Sequence, residues 1–320
     1  MYSSIKRSDE YKSCLLDFVR SEYGICGVSL TPAKRGFYGE TWRLDAADSA
    51  GTSNRVSYFL KLVYADEHKD IYKRSFPVVR HLCEHGIDFI SRVVVAEAGS
   101  LFTLFDGAVL GVFDWIDGEL TESDVTKIPE YQMLARVYTV PADSLELPRE
   151  DFSGASSDVF FERWRVLEDK PLLSLLEKNR DKITHRAERL KHFATLCQQD
   201  TGDFYITHGD AGGNLLVSSD EAQNRSLSYY IVDWDMALIT PPERDAWVMC
   251  SKDWARDAFE DALRQNGISY TLRTERLAYY CYWFFFYYLT AFLDASADAE
   301  PVEEYIDGWI EDSIKYCERY

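Results

Sequence analysis

The stretch His208-Gly209-Asp210-Ala211-Gly212-Gly213-Asn214 sets a carboxylate and an amide four positions apart on glycine-rich chain. Chain of this kind is loop-like and not committed to one face, so both side chains can converge. Further on, the apolar run Tyr229 to Val232 ends in Asp233, and Asp235 follows two residues later. Phosphoryl transfer needs a carboxylate to orient or deprotonate a hydroxyl, oxygen ligands for magnesium, a cation on the phosphates and a covering loop. In this pattern Asp210 is the candidate base, and Asn214 and Asp233 are the candidate magnesium ligands. A strand-borne carboxylate beside a loop-borne amide makes a hard oxygen site, suited to a metal held mainly by phosphates and water.

HGDAGGN followed by IVDWD and PPERDAW resembles the aminoglycoside phosphotransferase family, most of all its spectinomycin phosphotransferase branch, over nearly the whole chain. The combination carries the resemblance: HGD alone is common, but HGD-x-x-x-N, an intervening hairpin and [IV]DWD in that order is not. It implies an α+β, protein-kinase-like two-lobed fold, with a small β-rich N-terminal lobe over 1–116 and a larger helical C-terminal lobe over 117–320. It also implies ATP and Mg2+ as cofactors, with the γ-phosphoryl group passing to a hydroxyl of an aminoglycoside or aminocyclitol-like acceptor.

By the same resemblance, Lys61 in SYFLKLV is the strand lysine that contacts the α and β phosphates. Gly36, Tyr38 and Gly39 in GFYGET belong to the loop over the phosphates, where missing side chains let backbone N–H groups approach. The backbone of Asp114 and Ile116 reads the adenine edge, His208 orients the catalytic loop, and Asp245 in PPERDAW steadies it. Two features depart from the family pattern. Only Ala211, Gly212 and Gly213 separate the base from Asn214, where four residues are more usual, and a Gly-Gly pair can absorb the shorter loop. Ser75, Phe76 and Pro77 stand where a helix Glu would pair with the lysine, leaving Asp66, Glu67 and Asp70 as alternatives. Choline, homoserine, fructosamine and macrolide kinases share this active-site plan, so the acceptor stays open. A nucleotide-binding regulator without turnover is the alternative that the two departures raise.

The elements that position these residues follow from periodicity. Tyr11 to Glu22 and Ile71 to His85 have helical spacing, while Ser29 to Pro32, Thr41 to Leu44, Ser57 to Val63, Phe89 to Ala96, Leu101 to Phe105 and Ala108 to Phe113 read as strands. From Thr121 the pattern turns helical: Glu130 to Val140, Asp158 to Glu168, Pro171 to Cys197, Glu243 to Trp254, Asp257 to Asn266, Leu272 to Leu293 and Val302 to Arg319. One hairpin is set into this half, with HGDAGGN entering it, LLVS and SYYIV as its strands, DEAQNRS as its turn, and DWD at its exit.

Bulk properties narrow the partners. A formal net charge of −19 opposes nucleic acid and anionic membranes, which need positive surface, and leans toward a cationic small-molecule acceptor. Seven cysteines without a CxxC pair suit reduced thiols in a cytoplasmic protein, and the charged N-terminus does not read as an export signal. Leu277 to Leu293 carries no formal charge, but its tyrosine hydroxyls would need partners in hydrocarbon, so it reads as a buried helix. His81-Leu82-Cys83-Glu84-His85 spells an inverted zinc-protease motif, but no third ligand accompanies it.

Overall fold

The period-2 runs of the first third pair into one antiparallel sheet, ordered β1-β2-β3-β5-β4. The strands are β1 (Gly27–Pro32), β2 (Glu40–Ala47), β3 (Arg55–Val63), β4 (Thr103–Phe105) and β5 (Ala108–Asp114). The computed structural model describes residues 7–33, 39–47, 55–121, 123–200, 202–218, 227–294, 299–309, 311–317 and 319. The DEAQNRS turn and the centre of the β2–β3 loop lie outside these residues. Two compact units result: Met1–Thr121 with Asp143–Leu147 and Asn214–Ala237, and Glu122–Ala142 with Pro148–Gly213 and Leu238–Tyr320. The hairpin thus belongs by its contacts to the first unit, although it is embedded in the helical half of the sequence.

In the first unit, α1 (Asp9–Tyr23) starts where the Ser8 side chain accepts the Tyr11 N–H and stops at Gly24, whose φ of 68° only glycine adopts readily. Its buried face, Leu15, Val19 and Tyr23, packs with Trp42, Leu44, Leu60 and Leu110 of the sheet. Helix α2 (Asp66–Glu84) begins five residues before the expected Ile71 and carries Pro77 in its interior. Gly111 lets it lie close, because a Cβ there would collide with the Tyr72 hydroxyl and the Phe76 ring.

Phe89 to Ala96 is not a strand. It makes one isolated bridge, Val93 to Phe113, flanked by the bonds Val94 N–H to Val112 O and Asp114 N–H to Arg92 O. Strand β4 covers only part of β5, so this irregular segment runs along the remainder, while Ile87, Phe89, Ile90 and Ala96 are buried. An apolar run reads alike in both conformations. A second sheet, β6-β8-β9, contains the expected hairpin strands β8 (Leu215–Ser218) and β9 (Ser228–Ile231) and a short added strand β6 (Glu119–Leu120).

The second unit is helical around α9 (Thr274–Asp294), which is buried on nearly every face against α4 (Ala155–Val166), α6 (Arg180–Cys197), α7 (Glu243–Ala246) and α11 (Glu311–Cys317). A helix apolar all round belongs in a core. Among the described residues no helix is long and apolar enough to cross a membrane. Helix α3 (Asp124–Val137) is capped by Ser123. Three expected helices are interrupted. The 171–197 stretch breaks at Asn179 into α5 (Lys170–Lys178) and α6, and 243–254 yields only α7 before α8 (Asp253–Gln265). The last splits into α10 (Ala299–Glu304), a π-helical turn at Tyr305–Trp309, and α11. Strands β7 (Tyr205–Thr207) and β10 (Leu238–Thr240) pair antiparallel and lead into the HGD loop and α7.

Candidate active site

Lys61 lies on β3, the strand flanked by both β2 and β5, opposite Thr41 and Gly111, and is 7% exposed. Its Nζ donates to Asp233 Oδ1 at 2.7 Å and to Asp235 Oδ2 at 2.6 Å. The Tyr72 ring lies 5.4 Å from the ammonium, and the Tyr72 hydroxyl donates to the Lys61 carbonyl at 3.1 Å. Burial alone would push this lysine down, but the two carboxylates outweigh it and hold the ammonium above its ordinary range. One positive and two negative charges leave the cluster net negative.

Among the described side chains, two of the three alternatives on α2 do not supply the partner. Asp66 and Asp70 pair with Lys69 and Lys73 at the surface, and Ser75 donates to the Tyr72 carbonyl. The side chain of Glu67 lies outside the described residues. Asp233 follows β9 with φ 66° and ψ 61°, a left-handed conformation costly for a residue with a Cβ. Its neighbours fix it there: Val232 N–H donates to Asn214 O at 3.0 Å, and the Trp234 indole donates to Ile231 O at 3.1 Å. The first of these bonds sets Asn214 opposite Val232, the residue before Asp233, across the hairpin.

Gly36 and Tyr38 lie outside the described residues. Gly39 sits where a Cβ would be 3.0 Å from Leu62 O and 3.5 Å from Lys61 Cγ, so its lack of a side chain lets the chain approach the lysine strand. At the end of β5, Asp114 N–H is used by Arg92 O, and Asp114 O accepts from Ser91 Oγ with one lone pair to spare. Among the described residues the Ile116 backbone has no hydrogen bond, which leaves a donor and an acceptor two residues apart, as an adenine edge requires.

Asp210, in the second unit, sits in a loop held through its backbone. The Asp245 carboxylate accepts the N–H groups of His208 at 2.9 Å and Gly209 at 2.8 Å, together with the Tyr138 hydroxyl at 2.9 Å. Arg244 Nε donates to Gly209 O at 2.9 Å, and Asp210 N–H donates to His208 Nδ1 at 3.3 Å. Burial raises the Asp245 pKa, opposed by His208 and the two N–H groups. Gly209 and Gly212 have φ of 84° and 102°, and Gly212 N–H donates to Glu130 Oε1 at 3.2 Å. A Cβ on Gly212 would come within 2.5 Å of Val248. Of the Gly-Gly pair, Gly212 therefore absorbs the short loop. Glu130 is pushed up to about 7 by burial. Asp210 itself is partly exposed and accepts the Tyr288 hydroxyl at 2.6 Å.

The sequence singled out Asp210, His208, Asp245, Lys61, Asn214 and Asp233; the structure places the first five on the elements expected, whereas Asp233, expected to end the strand, stands two residues beyond β9 at the head of a 3-10 turn. The sequence did not assign Asp235, Glu130, Arg244 or Tyr288. The repeated acid in DWD signals the first of these, but nothing distinguishes Tyr288 within a run of aromatic residues. The His81 and His85 rings lie 4.1 Å apart, tilted by 44°, while Glu84 binds Arg80, and among the described residues no three His, Cys, Asp or Glu side chains form a metal cluster.

The model of the phosphotransferase enzyme family APH matches residues 29–280. The chain belongs to that family. It is a phosphotransferase acting on a hydroxyl acceptor, with a protein-kinase-like fold. Comparison with curated proteins found no match. Among solved structures, spectinomycin phosphotransferase APH(9)-Ia with ADP and spectinomycin shares 18% identity at a TM-score of 0.68, over 95% of this chain and 93% of that one. Its AMP-bound complex gives 17% and 0.72, over 95% and 96%. Choline kinase LicA from Streptococcus pneumoniae gives 14% and 0.62, over 98% and 100%.

Asn214 and Asp233 offer one amide and one carboxylate oxygen, a hard and incomplete donor set. That fits magnesium, whose remaining ligands are phosphates and water, better than an ion caged by protein.

Proposed function

We propose that this phosphotransferase moves the γ-phosphoryl group of ATP, with Mg2+, to a hydroxyl of a cationic small molecule of the aminoglycoside or aminocyclitol type. The observation that carries the reading is the buried Lys61 ammonium held between the two carboxylates of DWD. Such a cation has no packing role that an apolar residue would not fill more cheaply, and it has a third N–H to offer phosphate oxygens.

Lys61 neutralises the phosphates, Gly39 keeps the covering chain close, and the backbone at Asp114 and Ile116 reads the adenine edge. Asn214 and Asp233 would hold the metal, which when bound neutralises charge building up on the phosphoryl oxygens. Asp210 aligns the acceptor hydroxyl and takes its proton, and the Tyr288 hydroxyl at 2.6 Å shows that this carboxylate accepts from an O–H group. The acceptor class rests on the net charge of −19 and on the spectinomycin seen in a structural relative. Free thiols at Cys14, Cys26, Cys83, Cys197, Cys250 and Cys281 support a cytoplasmic setting. Neither nucleic acid nor a membrane is a partner in this reading. Both departures that raised a regulator without turnover have a local answer, in Asp235 for the missing helix Glu and in Gly212 for the short loop.

The test is ATP consumption with magnesium across aminocyclitols, aminoglycosides, macrolides and metabolite alcohols, with Asp210→Ala alongside. Stimulation by a cationic class that vanishes in the variant is the expected result. Stimulation only by uncharged alcohols would overturn the acceptor class, and no stimulation at all would overturn the transfer.

A further inference from the structure

Two carboxylates contact Lys61, and their settings differ. Asp233 is the more open, with its side chain 43% exposed, and it follows Val232, whose N–H donates to Asn214 O across the hairpin. Asp235 is 26% exposed and sits in the 3-10 turn Trp234–Met236. That turn is locked by the Trp234 indole on Ile231 O and by Ala237 N–H on Trp234 O, and α2 packs against it. Among the described side chains of α2, Tyr72 lies against the lysine and Phe76 against Gly111 beside it, while Asp66 and Asp70 pair with Lys69 and Lys73.

If Asp233 turns to a metal ion, Lys61 loses one of its two counter-charges while remaining buried. An ammonium in that position needs a carboxylate that stays, both to offset desolvation and to aim the Nζ. We propose that Asp235 is the positioning residue that keeps Lys61 on the nucleotide phosphates, doing from the DWD turn what a helix carboxylate does elsewhere, while Asp233 exchanges the lysine for metal. This rests on the proposed reading of Lys61 as the phosphate-binding lysine. The carboxylate is thus carried by a short, hydrogen-bonded turn rather than by α2.

The test is equilibrium binding of ADP with saturating magnesium, the state in which Asp233 is turned to the metal, and again with a chelator, where Asp233 still pairs with Lys61. Wild type, Lys61→Met, Asp235→Asn, the double variant and Asp235→Glu are compared, with thermal melts as a check on folding. With magnesium, Lys61→Met and Asp235→Asn should each weaken ADP by about tenfold, and the double variant should be no worse than either, because one residue acts through the other; with the chelator, Asp235→Asn should lose far less. Asp235→Glu, which keeps a carboxylate, should bind within about threefold of wild type. With magnesium, a loss in Lys61→Met alongside unchanged or tighter binding in Asp235→Asn would overturn the positioning role while sparing the phosphate-binding lysine. Additive losses in the double variant would mean that Asp235 acts independently of Lys61. No loss in Lys61→Met would remove the lysine reading itself, and this inference with it.

Discussion

Lys61 and Asp210 are secured by opposite means. The lysine is held by charge, between two partly exposed carboxylates. The loop of Asp210 is held by buried backbone hydrogen bonds, two N–H groups on Asp245, one on Glu130, and the Gly209 carbonyl on Arg244. A ligand carrying phosphates and a divalent cation can exchange partners with the first arrangement, since it brings both signs of charge. It has nothing to offer the second, whose bonds are internal to the protein. In the proposed reading the lysine cluster changes partners while the Asp210 loop stays as it is.

Removing Asp210, the carboxylate proposed as the base, is the most severe way to separate them. Asp210→Ala should lower single-turnover transfer by a thousandfold or more, on the order of 4 kcal/mol, while nucleotide affinity changes by only a few-fold. Retained turnover would remove Asp210 as the base. Asp245→Ala attacks the frame, leaving the His208 and Gly209 N–H groups unsatisfied, and should cost about 2–4 kcal/mol in urea denaturation. A cost below about 1 kcal/mol would mean that the loop is not held as described.

Asp233→Ala tests whether the lysine cluster exchanges partners. Mg-ADP affinity should fall about ten- to hundredfold, with metal-free ADP affected far less. Equal losses would mean that Asp233 does not hold metal. Glu130→Gln is the gentlest probe, because the amide oxygen can still accept the Gly212 N–H. The folded-state pKa of Glu130, about 7, lies above its ordinary 4.5, so between those values the folded protein binds more protons than the unfolded one. Its contribution is present below 4.5 and is lost as pH rises through 7. Glu130→Gln should therefore flatten the decline in stability between pH 5 and 8, with a gain on the order of 1 kcal/mol at pH 8. Glu243, also pushed to about 7 by burial, retains part of that decline. Denaturation midpoints at both pH values decide it, and an unchanged slope would mean that Glu130 is not held protonated by burial.

The sequence by itself determined the parts whose information is local. HGDAGGN, DWD and PPERDAW declare the family because the residues of each motif are neighbours, and α1 and β3 show in apolar spacing over a few turns or pleats. Tertiary structure decided the rest. Phe89 to Ala96 has strand composition, but β5 has only a short edge left for it to pair with. The 171–197 run keeps helical spacing through Asn179, where the chain nevertheless breaks to seat Leu172, Leu175 and Leu176 apart from the α6 face. Lys61 meets Asp233 across 172 positions and Asp210 meets Tyr288 across 78. Spacing and propensity report only what adjacent residues prefer. Which distant carboxylate or hydroxyl reaches a given side chain is settled by how helices and sheets pack, and the acids of DWD, which the sequence had not offered as partners of Lys61, reach it only through that packing.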